Sequence, residues 1–504
     1  ASLTLLQDAL AEAIAEASLS DASGSRMKID LLTDPAGMVP YCTDWRGRFT
    51  GQPIAIAFPK STAEVHAVVR ACRAHRIPIV TQGGNTGLSG GATPDSSASQ
   101  LLLNLSKLNH IRSIDLENAT ITVEAGATLE QVQQQAKARG LLFPVDLTAR
   151  GSATIGGLLA TNAGGTAVIR YGNARRQCLG LEVVTASGEI WSGLRGLRKD
   201  NTGYDLRDLY IGSEGTLGVI TAAVLALEPA PKGLCTAWVE VETISKAIAL
   251  LQETKQQLGS LLTAFELMSP TALAPVLEYF PEQAGPLRNE RFSKNTPLQS
   301  GPYFVLIESS SQVSQAHAQE GLEQSLAKGL EQELVLDAST AQSLAQAESF
   351  WHLREQITMA AAEDGPQIKL DVALPISRID DFCKEMSQAL EQALPGVRLS
   401  NFGHLGDGNL HFNLAAPKEW LTGLPRIERH AKAKGFVEEH EPSLRRLVHD
   451  AVMSRGGSIS AEHGLGQLRR DEAAHYKSPV ELALMRSIKQ ALDPMGLFNP
   501  GKVL

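Results

Sequence analysis

Between Gln82 and Thr221 the sequence passes three times through clusters of Gly with Thr, Ser and Asn: "QGGNTGLSGGATP", "SATIGGLLATNAGGTAVIRYGNAR" and "KDNTGYDLRDLYIGSEGTLGVIT". Nothing else in the chain narrows its fold as much. Glycine after a strand lets backbone N–H groups approach phosphate oxygens closely, because no Cβ stands in the way. The first run carries Gly83, Gly84, Gly87, Gly90 and Gly91 and follows the apolar "PIVTQ". The second carries Gly156, Gly157, Gly164 and Gly165 around Thr161 and Asn162, and the third Gly203, Gly212, Gly215 and Gly218. One such run is an ordinary turn. Three in one domain suit a long ligand with a pyrophosphate and several ribityl or ribose hydroxyls. The spacing is not GxGxxG, Thr93-Pro94-Asp95 does not open a helix, and GK[ST] is absent, so neither a Rossmann fingerprint nor a P-loop is present.

The chain has 504 residues, enough for two or three domains. Its net charge is −9 with both signs interspersed, and no basic patch stands out to neutralise nucleic-acid phosphates. No apolar run reaches membrane-spanning length. The start, "ASLTLLQDALAEAIAEAS", reads as an amphipathic helix with Asp8, Glu12 and Glu16 on its polar side. It lacks the cationic start and apolar centre of a secretory signal. Five scattered cysteines, none in a CxxC pair, are expected as reduced thiols of a cytoplasmic protein without an iron–sulfur cluster.

"STAEVHAVVRACRAHRI" predicts a helix capped by Ser61, with Glu64 completing a capping box and Val65, Val68 and Val69 forming the apolar stripe. "EPAPKG", Glu228 to Gly233, is a Pro-rich break. Helices are expected over 243–258 and 311–350. The charged stretch from Leu414 to Asp450 is expected to be rich in loops, and Trp45 to pack in a core. Alternating strands and helices in separate halves predict an α+β protein. The expected divisions are a lead-in over 1–51, a first domain over 52–229, a second over 230–455, and a segment 456–504 returning to the site.

Two further runs carry chemistry. If "GNLHFN" in "NFGHLGDGNLHFNL" is a strand, alternation puts His411 and Asn413 on one face, and the "GDG" turn can bring His404 beside it. Downstream, "SAEHGLG" offers Glu462 directly before His463, between small residues that allow a tight bend. Two imidazoles and a carboxylate, with positions left open, make up a catalytic Zn²⁺ site; Mn²⁺ or Fe²⁺ suits the same set. In "WHLREQITMAAAEDGPQIKLDVALP", Arg354 and Thr358 share a helix face at i, i+4, and Lys369 opens a strand.

Taken together, these motifs resemble the vanillyl-alcohol-oxidase-type flavoproteins and, within them, the D-2-hydroxyacid dehydrogenases. That group includes D-lactate dehydrogenases, the flavin subunit of glycolate oxidase and D-2-hydroxyglutarate dehydrogenases. The resemblance runs from about Gln52 to the C-terminus. It implies an FAD-binding domain of two subdomains and an α+β substrate domain with an antiparallel sheet. For the FAD site it implies Gly83, Gly84, Asn85, Thr86, Gly87, Leu88, Pro144, Asp146, Thr154, Gly156 and Gly157. To these it adds Thr161, Asn162, Gly164, Gly165, Glu214, Gly215, Gly218, Ile220 and Asn499. Gln82 to Ala92 contains no histidine, so the FAD is expected to be non-covalent. The resemblance further implies His404, His411 and Glu462 as metal ligands, and Arg354, Thr358 and Lys369 as partners of substrate carboxylates. Asn413 and His463 would also touch substrate. These five substrate positions match the D-2-hydroxyglutarate dehydrogenase pattern.

The implied reaction is oxidation of a D-2-hydroxy acid to the 2-oxo acid. The metal lowers the pKa of the bound hydroxyl, His463 takes its proton as general base, and the C2 hydride passes to flavin N5. Arg354 as a bidentate fork and Lys369 as a point charge suggest a dicarboxylate such as D-2-hydroxyglutarate; D-lactate or glycolate is the alternative. With no cysteine cluster, electrons must leave to a separate acceptor, whether an electron-transfer flavoprotein, a quinone or a cytochrome. A homodimer is the expected state. Pro417 to Arg446 looks longer than the usual connection in this family and is expected to reshape a pocket mouth or a partner surface.

Overall fold

A computed structural model of the chain describes residues 3–20, 28–283, 285–288 and 301–504. The backbone divides into a first unit, Ala1–Gly165, Gly172–Ala230 and Glu462–Leu504, and a second, Thr166–Tyr171 and Pro231–Ala461.

The first unit is built on two larger sheets, beside a two-stranded pair of Leu141–Leu142 with Glu228–Pro229. A four-stranded sheet runs in the order Asp30–Leu32, Ala55–Phe58, Leu101–Asn104, Ile79–Gln82, with the last three strands parallel. These three are buried almost throughout, as the continuous apolar runs "AIAF", "LLLN" and "IVTQ" require of parallel strands covered on both faces. Helix Thr62–Ala74 packs Val65, Val68, Val69 and Cys72 into the core beside them. The second sheet is antiparallel, in the order Ile111–Asp115, Thr120–Glu124, Val219–Ala226, Cys178–Val184, Ile190–Gly193. The C-terminal tail adds itself to the first sheet. Ile79 exchanges backbone hydrogen bonds with Leu497 and Asn499, each 2.8 Å long.

The second unit is one seven-stranded antiparallel sheet. Its order is Asp337–Thr340, Gly233–Val241, Tyr303–Ser311, Leu262–Met268, Arg398–Gly403, Asn409–Ala415, Asp371–Ala373. Period-2 alternation sorts its side chains onto two cores. Val239, Val305, Ile307 and Leu267 face one way, toward helices Ile244–Leu258, Gln315–Glu331, Ile379–Ala393 and Arg426–Ser454. Trp238, Phe304, Leu306 and Met268 face the other, toward helices Pro270–Tyr279 and Leu344–Glu363.

Several expectations need correction. The stretch expected to be loop-rich is mostly the 29-residue helix Arg426–Ser454. Its high charge hides a sparse stripe (Ala433, Phe436, Leu444, Val448, Ala451 and Val452) that is buried at helical spacing. Gly435 and Pro442 lie inside it, and Pro442 removes one backbone donor. The expected 311–350 helix is two helices separated by the edge strand Asp337–Thr340. Ser61 caps its helix by accepting from Glu64 N, but the Glu64 carboxylate accepts from Lys60 N at 2.7 Å, not from Ser61 N, so no capping box closes. Trp45 is 70% exposed instead of lying in a core. In helix Leu3–Ser20, Leu6, Ala9 and Leu10 are buried and Asp8 and Glu12 exposed, while the Glu16 side chain lies outside the described residues. No described helix is long and apolar enough to cross a membrane.

Candidate functional site

In the first unit, strand Ile79–Gln82 delivers the chain directly into Gly83. A Cβ on Gly83 would stand 2.2 Å from Thr154 Oγ1, and one on Gly84 1.7 Å from the Ser152 carbonyl oxygen. At Gly84 backbone meets backbone, and only glycine is admitted. The glycine segments enclose a cavity of about 340 Å³. Of the expected FAD contacts, Gly83, Gly84, Asn85, Thr86, Gly87, Leu88, Thr154, Gly156, Gly157, Thr161, Gly164, Glu214, Gly215, Gly218 and Ile220 line it. Pro144, Asp146, Asn162, Gly165 and Asn499 are not on its wall. Asp146 bridges to Gly165, and Asn162 Oδ1 accepts from Arg175 N. Thr81, Ser89, Gly91 and the segment Leu147–Ala149 also line it. Thr81 Oγ1 is buried on this wall with no hydrogen-bond partner among the described residues. A glycine-rich wall with threonine hydroxyls, that of Thr81 unsatisfied among the described residues, fits a polyhydroxylated diphosphate such as FAD.

The "EHGLG" run is clamped onto this cavity. Glu214 sits at φ +52° and accepts from Leu465 N at 2.7 Å and Gly466 N at 2.8 Å. Ser89 Oγ donates to the His463 and Gly464 carbonyls, both at 3.1 Å. Asn499 Nδ2 ties the Gly91 and Glu214 carbonyls together, and Lys502 Nζ donates to Asn499 Oδ1 and to the Thr93 carbonyl. Burial pushes the Glu214 carboxyl above its ordinary range against the pull of those two amides, and lowers the Lys502 ammonium to about 8. As a result Glu462 and His463 both line the cavity, with His463 Nε2 3.8 Å from Glu462 Oε1.

In the second unit the "GHLGDG" turn joins strands Arg398–Gly403 and Asn409–Ala415. Gly403 at φ +153° and Gly408 at φ +87° take conformations other residues avoid, and a Cβ on Gly408 would lie 2.4 Å from the Leu374 carbonyl oxygen. The turn brings the His404 and His411 rings edge-on, with centroids 5.6 Å apart. Strand register puts Asp371 directly opposite His411 on one side and Phe402 on the other. Asp371 Oδ1 is 3.9 Å from His411 Nδ1 and accepts from Asn409 Nδ2 at 2.8 Å. Glu266, from strand Leu262–Met268, is fully buried with Oε1 2.6 Å from His404 Nδ1. Glu266 thus holds His404 by Nδ1, which makes Nε2 the atom that imidazole would offer a cation, whereas Asp371 Oδ1 stands beyond hydrogen-bond reach of His411 Nδ1. Burial acts to raise the Glu266 pKa, but His404 and Arg354 outweigh it and hold the carboxyl at about 2.

Arg354 is buried, stacked 4.8 Å over the Phe402 ring, with Nε and Nη2 both 3.0 Å from Glu266 Oε2. The expected open fork is therefore half committed. A guanidinium this buried needs a counter-ion, and Glu266 provides it. Thr358, one turn on, is exposed; Lys369 is half-buried two residues before strand Asp371–Ala373; Asn413 is buried, with Oδ1 accepting from Leu370 N at 3.3 Å. The structure thus brings together His404, His411 and Arg354 in the second unit, and Glu462 and His463 on the cavity of the first. Sequence reading missed Glu266 and Asp371. Their only signal was a lone carboxylate in otherwise apolar strands, "LTAFELM" and "DVA".

Residues 53–193 match the family described as FAD binding domain, and residues 230–503 the family described as FAD linked oxidases, C-terminal domain. A D-2-hydroxyglutarate dehydrogenase of Xanthomonas citri pv. viticola is 39% identical over 94% of this chain and 94% of its own length. A mitochondrial D-2-hydroxyglutarate dehydrogenase of Arabidopsis thaliana is 37% identical over 92% of this chain and 77% of its own. Among solved structures, p-cresol methylhydroxylase with substrate bound superposes with a TM-score of 0.71 over 99% of this chain and 97% of that one. At 16% identity that likeness concerns the fold: a two-part α+β flavoprotein of the vanillyl-alcohol-oxidase type.

Proposed function

The chain belongs to the FAD-linked oxidases, among the D-2-hydroxyglutarate dehydrogenases, and from this premise we propose that it oxidises D-2-hydroxyglutarate to the 2-oxo acid. The observation that carries the reading is His463 on the wall of the same cavity as the glycine segments. A proton acceptor there would stand beside a flavin held in that cavity and take the hydroxyl proton of a substrate brought to it. FAD, held non-covalently in that cavity, would supply the hydride acceptor. A divalent cation, zinc in the first instance, would lower the pKa of the substrate hydroxyl.

His404 and His411 of the second unit and Glu462 of the first form the proposed ligand set. Supporting it, the Glu266 carboxylate is hydrogen-bonded to His404 Nδ1, the outer support expected around a metal-bound histidine. Asp371, buried beside His411, is a fourth candidate donor. His463 takes the hydroxyl proton. Arg354, through the hydrogens that Glu266 does not use, and Lys369 with Thr358 would hold the two carboxylates, while Asn413 orients the substrate.

Electrons then leave to a separate acceptor. The cytoplasmic placement belongs to the same reading: the five cysteines are free and buried, which suits a reducing compartment, although the Arabidopsis relative is named mitochondrial.

The test is anaerobic mixing of the flavin-loaded protein with D-2-hydroxyglutarate, D-lactate and glycolate. Bleaching by the dicarboxylate first, abolished by chelation and restored by zinc, is the expected result. Lys369→Ala should impair bleaching by D-2-hydroxyglutarate far more than by D-lactate. Equal loss for both would reject the dicarboxylate assignment.

A further inference from the structure

The first unit carries a second groove, on the segment 191–207. Trp191 forms part of its wall, and Leu197, Tyr204 and Leu206 supply exposed apolar lining, Tyr204 being 96% exposed. Large apolar side chains left in water around one groove mark a contact surface. The charges there are sorted. Asp200 pairs with Arg195, Asp205 with Arg207 and Asp208 with Arg175, whereas Arg198 and Lys199 have no ion-pair partner among the described residues. A protein of net charge −9 thus exposes uncompensated positive charge beside an aromatic groove.

Behind the groove lies a direct route inward. Trp191 stacks on Tyr210 at 5.8 Å and 29°. Tyr210 in turn backs Gly218, where an added Cβ would fall 2.9 Å from its ring, and Gly218 lines the FAD cavity. Two aromatic rings therefore bridge the surface groove and the cavity wall.

We propose that this groove is the docking face for an acidic, one-electron carrier protein, and that Trp191 and Tyr210 lie on the path by which electrons leave the flavin. The inference rests on the redox reading above and deepens it. Each substrate oxidised releases two electrons; two carrier molecules are reduced in succession, and two protons go to solvent.

The experiment starts from photoreduced, flavin-loaded protein, so docking is read even if the substrate assignment fails. Acidic rubredoxin and basic cytochrome c serve as probes. The parent protein should reduce rubredoxin faster than its Arg198→Glu/Lys199→Glu variant does, by roughly tenfold or more at low ionic strength, with the gap closing in high salt. The variant should instead favour cytochrome c. Tyr204→Ala should slow rubredoxin alone, and reoxidation by a small dye should be unchanged in every variant. A charge-reversed protein that keeps its preference for rubredoxin would overturn the proposal. So would equal losses with dye and protein. Failure of D-2-hydroxyglutarate to bleach the flavin would count against the proposed reaction and leave the docking result intact.

Discussion

Replacing Glu266 by Gln is the sharpest perturbation of the second unit. The carboxylate is wholly buried and holds two groups at once, His404 Nδ1 at 2.6 Å and the Arg354 guanidinium at 3.0 Å. Its pKa of about 2 in the fold, against about 4.3 in an unfolded chain, corresponds to roughly 3 kcal/mol of stabilisation. Removing one partner of a buried pair costs about 3–5 kcal/mol, in agreement. Because the folded pKa is depressed, this stabilisation is complete above the unfolded value and is lost as pH falls toward 2. At pH 7, Glu266→Gln should lower the melting temperature of the second unit by roughly 6–12 °C. In urea, the gap between parent and variant should shrink to less than half by about pH 3. A melting change under roughly 2 °C, or a gap that stays flat between pH 5 and pH 3, would refute the argument that His404 and Arg354 depend on this carboxylate.

Three other outcomes follow from geometry. Gly84→Ala drives a methyl into the Ser152 carbonyl and should destabilise the apoprotein by about 1–3 kcal/mol and empty it of flavin, while Gly87→Ala, with nothing within 4 Å, should leave apoprotein melting unchanged. His411→Ala should abolish metal uptake, measured by elemental analysis, and substrate-driven bleaching, yet keep the flavin absorbance; a metal content equal to that of the parent would remove His411 from the ligand set. Trp45→Ala should change unfolding free energy by less than about 0.5 kcal/mol, as befits a ring 70% exposed, and a larger loss in a urea titration would contradict that.

The sequence by itself determined what depends on local chain chemistry. Glycine segments that line one cavity, a strand holding His411 and Asn413, and the Ser61 cap each follow from a few neighbouring residues, and all are found where expected. Long motifs such as "GHLGDGNLHFN" extended that reach to the family. What the sequence could not supply is pairing between distant strands. Glu266 lies 138 positions from His404, in a strand that reads as plain core. Nothing near it in the chain marks it as the anion that fixes both an imidazole and a guanidinium. The same holds for Asp371, which acquires its role only from the register opposite His411. The 29-residue helix Arg426–Ser454 was hidden for a related reason. Its sparse apolar stripe is stabilised by the core it packs against, and charge density alone gives no sign that such a core exists. Local sterics are written in adjacent residues. Counter-ions and burial are set by which strands and helices become neighbours, and only the tertiary fold decides that.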